Sequence, residues 1–141
     1  MAKIILIELN EVPEIIFQRS FLNNKYNKKI KDFDFIPTYA SDKGHLHPWV
    51  TWSTVYRGVN NEIHKIKEIN DFPKDLDIKY PTVMSSLADD GYKVGIFGSF
   101  QSSSIKKNFF SKYCFIIPDS FSNSYHCKPS SVTDLNKLNL I

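Results

Sequence analysis

The sequence predicts a small α/β fold, a partial doubly wound and mostly parallel sheet flanked by helices. Three observations carry that reading. A short apolar run rich in β-branched residues, Lys3 to Leu9, ends in the polar pair Asn10-Glu11. A helical pattern opened by Pro81 closes at Asp89-Asp90-Gly91, and a second apolar run, Lys93 to Ser99, follows at once. Cys114 to Ile117 supplies one more strand-like run, closed by Pro118-Asp119.

Taken in order, Lys3 to Leu9 reads as a buried central strand of a parallel sheet, with Asn10 and Glu11 at its carboxyl end. Open α/β sheets bind ligands there. Val12-Pro13-Glu14 opens a helix, with proline and an acid in its first turn, that runs to about Asn24. Lys25 to Lys31 is a solvated basic stretch, and Phe33, Phe35 and Ile36 fit a short strand before Pro37. Gly44 to Pro48 is a loop. Trp49 to Arg57 is spaced as a helix with Gly58 as its C-terminal cap. From Asn60 to Asp77 the text is polar and punctuated, with Glu62 to Ile66 its one structured piece. Val83, Met84 and Leu87 mark the apolar face of the Pro81 helix. Beyond about residue 120 the chain becomes a ragged polar tail, with a weak pattern at Leu135, Leu138 and Leu140. The whole is read as a single α/β unit over 1–141.

Composition narrows the function classes. Of the 141 residues, 42% are hydrophobic, 23% charged and 14% aromatic, which excludes a disordered chain. A net charge of +3 with dispersed charges gives no footprint for nucleic acid. No apolar run is long enough to span a bilayer, and Ile4 to Ile7 is too short for a signal-peptide core. Cys114 and Cys127 make neither a CxxC pair nor a disulfide framework. The chain is therefore expected to be soluble and cytoplasmic, with no nucleic-acid or membrane partner. A sheet with an unpaired edge would also let it self-associate.

Several residues could carry chemistry. Gly91, Gly95 and Gly98 are spaced GxxxGxxG at a strand rather than GxGxxG before a helix, so a C-cap followed by close-packed strand glycines is favoured over a dinucleotide site. His45 and His47, with Asp42 nearby, suit either a metal or a solvated loop, and the loop is favoured. His64 follows Glu62, and His126 adjoins Cys127; neither forms the ligand set of a structural zinc. Thr51, Ser53 and Thr54 crowd the start of the Trp49–Arg57 helix, where backbone N–H groups and the dipole would favour a phosphate beside a hydroxyl nucleophile. The same residues also serve as ordinary helix-capping and core positions.

The order of these pieces resembles the amino-terminal part of the alkaline phosphatase superfamily, in its type I phosphodiesterase and nucleotide-pyrophosphatase-like branch. There an opening strand ends in a metal-binding Asp, and a W-T-S-x-x-T-G helix precedes x-x-H-G-I. This chain has Ile4 to Asn10, then Trp52-Ser53-Thr54-Val55-Tyr56-Arg57-Gly58, then Glu62-Ile63-His64-Lys65-Ile66. Gly91 to Ser99 is similar to the branch's G-x-x-V-G-x-F-G step, and Pro118-Asp119-Ser120-Phe121 to its P-D-x-F.

The resemblance covers most of the 141 residues but only the first portion of the family's domain. It implies metal-assisted hydrolysis of a small phosphate or sulfate ester, with divalent Zn or Mn clamping the attacking and leaving oxygens. Asn10 then stands where the family's first ligand, an Asp, belongs; Glu8 and Glu11 flank it. The family's nucleophile position falls on Pro48, and Thr51 is the nearest hydroxyl that could attack. With a neutral Asn10, a proline at Pro48 and the remaining ligands expected farther along a longer domain, the segment is expected to be inactive alone. The alternative is a small non-catalytic α/β module that binds an anion or a partner.

Overall fold

The computed structural model describes residues 3–10, 12–16, 19, 36–44, 46–69, 71–102, 105, 107–121 and 127–134. Internal contacts divide the chain into two units, Met1–Tyr39 and Ala40–Ile141, described in turn.

In the first unit, Lys3 to Leu9 is not the central strand that its composition predicts. The segment forms no strand, and Ile4 and Ile7 are 90% and 74% exposed. β-Branched residues fit a pleated surface only where a ladder partner and a covering layer exist, and neither accompanies this run among the described residues. Asn10 follows in a turn and is exposed. Helix does begin where Pro13 and Glu14 predict it: residues 14–16 are helical and Ile16 N–H donates to the Pro13 carbonyl at 2.9 Å. The continuation toward Asn24 lies mostly outside the described residues, as do Phe33 and Phe35. Ile36 and Pro37 are irregular.

The second unit opens with α1, Pro48–Arg57. Proline occupies its first turn, where the missing N–H has no intrahelical partner to lose. Val50, Ser53 and Tyr56 are its buried positions, three apart on one face. Gly58 ends it at φ 66°, returning its N–H to the Thr54 carbonyl at 2.8 Å. α2 (Asn61–His64) ends in the same way on Lys65, at φ 61°, whose N–H reaches the Asn61 carbonyl at 3.0 Å. A side chain is strained in that left-handed region, by roughly 1–2 kcal/mol. Two short elements that the sequence pattern does not announce are α3 (Leu76–Lys79) and a 3₁₀ helix at Lys107–Lys112.

α4 (Val83–Asp89) stands where Pro81 and the apolar triplet place it. Thr82 caps it, its hydroxyl oxygen accepting from Ser85 N–H at 3.2 Å. Gly91, at φ 85°, closes it as a Schellman turn, with Gly91 N–H to Ala88 O and Tyr92 N–H to Leu87 O. β1 (Gly95–Phe97) and β2 (Phe115–Ile117) pair in parallel, Gly95 opposite Phe115 and Ile96 opposite Ile116. A Cβ added at Gly95 would run into the Phe115 ring, 2.7 Å from Cζ and nearer still to the adjoining ring atoms, so the glycine makes room for the aromatic.

Ile96, Tyr113 and Ile116 form the buried centre, with Met84 and Ala88 of α4 packed against them. Helices and a two-stranded parallel sheet make this a small α/β fold. The polar tail is not ragged throughout. Lys128 exchanges both backbone hydrogen bonds with Ile116, at 2.9 and 3.0 Å, and so covers the outer edge of β2. Leu135, Leu138 and Leu140 lie outside the described residues. Among the described residues no helix is long and apolar enough to cross a membrane.

Candidate functional site

Polar chemistry in the second unit concentrates where α1, α2 and the irregular segment at Asp42 meet. His64 is fully buried at the end of α2. Its Nδ1 accepts the Ile66 N–H at 3.0 Å, a bond set up by the left-handed turn at Lys65 between them. That assignment puts the ring proton on Nε2, which lies 3.1 Å from Thr54 Oγ1. Thr54 therefore accepts from His64 and sends its own proton to Asp42 Oδ1, 2.7 Å away. The same carboxylate oxygen accepts Asn61 N–H at 2.6 Å, at the start of α2. The bonds run one way, from Ile66 through His64 and Thr54 to Asp42.

Electrostatics agree with that direction. Burial pushes the His64 pKa below its ordinary 6.5; the nearby Asp42 carboxylate opposes the shift, Arg57 adds to it, and a hydrogen bond from the ring to the Val50 carbonyl also opposes it. A neutral imidazole with its proton on Nε2 cannot also take the Thr54 proton. The arrangement is thus not a nucleophile–histidine–acid triad, in which the imidazole accepts from the hydroxyl. Asp42 is the group that holds the Thr54 hydroxyl proton.

The other hydroxyls of α1 are committed differently. Thr51 Oγ1 lies 3.3 Å from the Pro48 carbonyl and 3.4 Å from that of His47, so it bonds back onto its own helix. Pro48 sits in the first turn of α1 and offers no attacking atom. Ser53 is fully buried, 2.7 Å from the Trp49 carbonyl and bonded to Gln101 Oε1. His47 stacks on Trp49, ring centres 4.5 Å apart, while His45 and His126 lie outside the described residues. Asp119 is buried against Ser102, whose Oγ accepts Asp119 N–H at 2.9 Å. Asn10 belongs to the first unit and Thr51 to the second.

Among the described residues no three His, Cys, Asp or Glu side chains gather as a metal-ligand set. Two buried oxygens near the start of α2, Asp42 Oδ2 and Asn60 Oδ1, have no hydrogen-bond partner among the described residues. A carboxylate and an amide are donors for a hard cation rather than the nitrogen and sulfur set of structural zinc, and two oxygens fall well short of a coordination shell. These residues do not fit a two-metal centre.

The sequence signalled Thr54 and His64 through the helix and turn motifs. It gave no sign of Asp42 as their partner, because the contact depends on how the loop before α1 folds back. No family model matches the chain, and neither a curated protein nor a solved structure matches it.

Proposed function

We propose that this chain is a segment of an alkaline-phosphatase-like hydrolase, contributing part of a doubly wound sheet, and that it does not turn over substrate by itself. The reaction class of the complete family, metal-assisted hydrolysis of a phosphate or sulfate ester, is the activity to which it relates.

One observation supports this most. The x-x-H-G-I motif has glycine after its histidine, and the residue at that place here, Lys65, holds φ 61°. The backbone keeps the conformation that glycine serves although the glycine is gone. Around it the residues carrying the resemblance touch one another: His64 bonds Ile66 on one side and Thr54, within the helix motif, on the other. Three features support inactivity in isolation. Asn10 is a neutral donor, Pro48 fills the nucleophile position, and the Thr51 hydroxyl is bound to helix carbonyls. In this reading Asn10 takes the place of the family's first metal ligand, and Thr51 is the hydroxyl nearest in sequence to the nucleophile position.

The test pairs turnover with metal binding. The chain is assayed with 4-nitrophenyl phosphate and 4-nitrophenyl sulfate in Zn²⁺ or Mn²⁺, and its metal affinity is measured beside that of Asn10→Ala. The expected result is no turnover and a divalent-ion affinity that the substitution weakens. Turnover by the isolated chain, or an affinity unaffected by Asn10→Ala, overturns the reading.

A further inference from the structure

A cavity of about 310 Å³ opens in the second unit between the end of α1, the α3–α4 segment and residues 100–113. That volume suits a small metabolite. Its wall includes Met84, Phe100, Ile105 and Phe109, an apolar lining. Into this setting the chain places Arg57, whose side chain is only 5% exposed. A buried guanidinium is stable only where its N–H groups are satisfied. Nη1 donates to the Tyr80 carbonyl at 2.5 Å and Nη2 to Asp77 Oδ1 at 2.7 Å. Nε is buried and has no hydrogen-bond partner among the described residues.

The incomplete side of the guanidinium is the informative one. Nε–H and Nη2–H point the same way and form the fork that a planar carboxylate fills with two parallel bonds. Asp77 fills half of it through one oxygen, and Asp77 is itself 59% exposed, free to turn outward. The charged groups on the lining balance: Arg57 against Asp77, and Lys112 against Asp89 at 2.6 Å. Releasing Asp77 to water leaves one positive charge to be matched. That favours a monoanion over a dianion.

We propose that this cavity binds a small monocarboxylate with an aromatic or branched apolar body, its carboxylate on the Nε–Nη2 fork of Arg57 in place of Asp77. Asp77 then acts as a built-in competitor that holds the guanidinium when the cavity has no ligand. The cavity does not depend on the hydrolase reading: of the residues that carry it only Arg57, in the Trp52–Gly58 helix motif, belongs to the pieces that carry the resemblance.

The probe is 3-phenylpropionate, titrated into the ¹⁵N-labelled chain while the Arg57 Nε–H and the lining amides are followed by NMR. Saturable shifts are expected with Kd on the order of 1 mM, ordinary for a ligand of about eleven heavy atoms. Arg57→Lys, which keeps the charge but loses the fork, should weaken binding at least ~10-fold. Asp77→Asn, which keeps an amide oxygen able to accept from Nη2 but removes the competing charge, should tighten binding at least ~3-fold. That gain is one a merely structural ion pair would not give. The proposal is overturned by the absence of saturable shifts, by equal or weaker binding in Asp77→Asn, or by equal or tighter binding of 3-phenylpropanol or phenyl phosphate.

Discussion

Replacing Thr54 by valine removes one oxygen and leaves the side-chain shape nearly unchanged, so its cost measures the Asp42–Thr54–His64 connection. Two interactions are lost. The bond from Thr54 to the Asp42 carboxylate, at 2.7 Å, is charge-assisted and contributes roughly 1.5–3 kcal/mol. The His64 Nε2–H loses its 3.1 Å contact but keeps the Val50 carbonyl as an acceptor, so this loss contributes roughly 1 kcal/mol. Asp42 keeps its bond from Asn61 N–H, and the new methyl group recovers a little apolar contact. The sum for Thr54→Val is a destabilisation of about 3 kcal/mol. Thr51→Val is the control, because the Thr51 hydroxyl meets only carbonyls of its own helix, and it should cost less than about 0.5 kcal/mol. Both of the chain's tryptophans, Trp49 and Trp52, lie in α1, so urea unfolding followed by tryptophan fluorescence reports on this region directly. Equal midpoints for the two variants would refute the argument, since the same atom is removed in each.

Three further outcomes follow from particular residues. Lys65→Gly relieves the left-handed strain at φ 61° and should stabilise the second unit by about 0.5–1 kcal/mol, read from the same urea midpoint. The folded-state pKa of His64 lies below its ordinary 6.5, so on acidification the unfolded chain takes up this proton first. Stability from this group is fully present above pH 6.5 and is lost as pH falls from there toward the lowered folded value; His64→Gln should flatten that part of the curve, and a profile unchanged by the substitution would contradict it. Gly95→Ala forces a methyl into the Phe115 ring and should cost roughly 1–3 kcal/mol, a penalty that shrinks when Phe115→Ala is added; a double-mutant cycle measures the difference.

Legibility divides by how local the cause is. α1, α4, their glycine caps and both short strands were readable because proline, glycine and apolar spacing act within a few residues. α3 was hidden in a polar stretch, where one turn around Leu76 leaves no periodicity to detect. Lys3 to Leu9 misled because β-branched content records what a strand would tolerate, whereas forming one needs a neighbour with free hydrogen-bonding groups. Lys128 pairing with Ile116 is also invisible in sequence, for its polar surroundings carry no pattern. In the candidate site the motif residues Thr54 and His64 stood out, but Asp42 and the Arg57 fork did not. Each depends on a contact between segments 12 to 23 positions apart.

In the proposed hydrolase reading Asn10 stands at the place of a metal-binding acid. The most direct measurement is calorimetric titration of Mn²⁺ and Zn²⁺ into the chain and into Asn10→Asp. Exchanging a neutral oxygen for a carboxylate at a true ligand position should tighten divalent-ion binding at least ~10-fold, about 1.4 kcal/mol. An affinity the same in both chains would mean that residue 10 faces no metal, and the hydrolase reading would lose its first ligand.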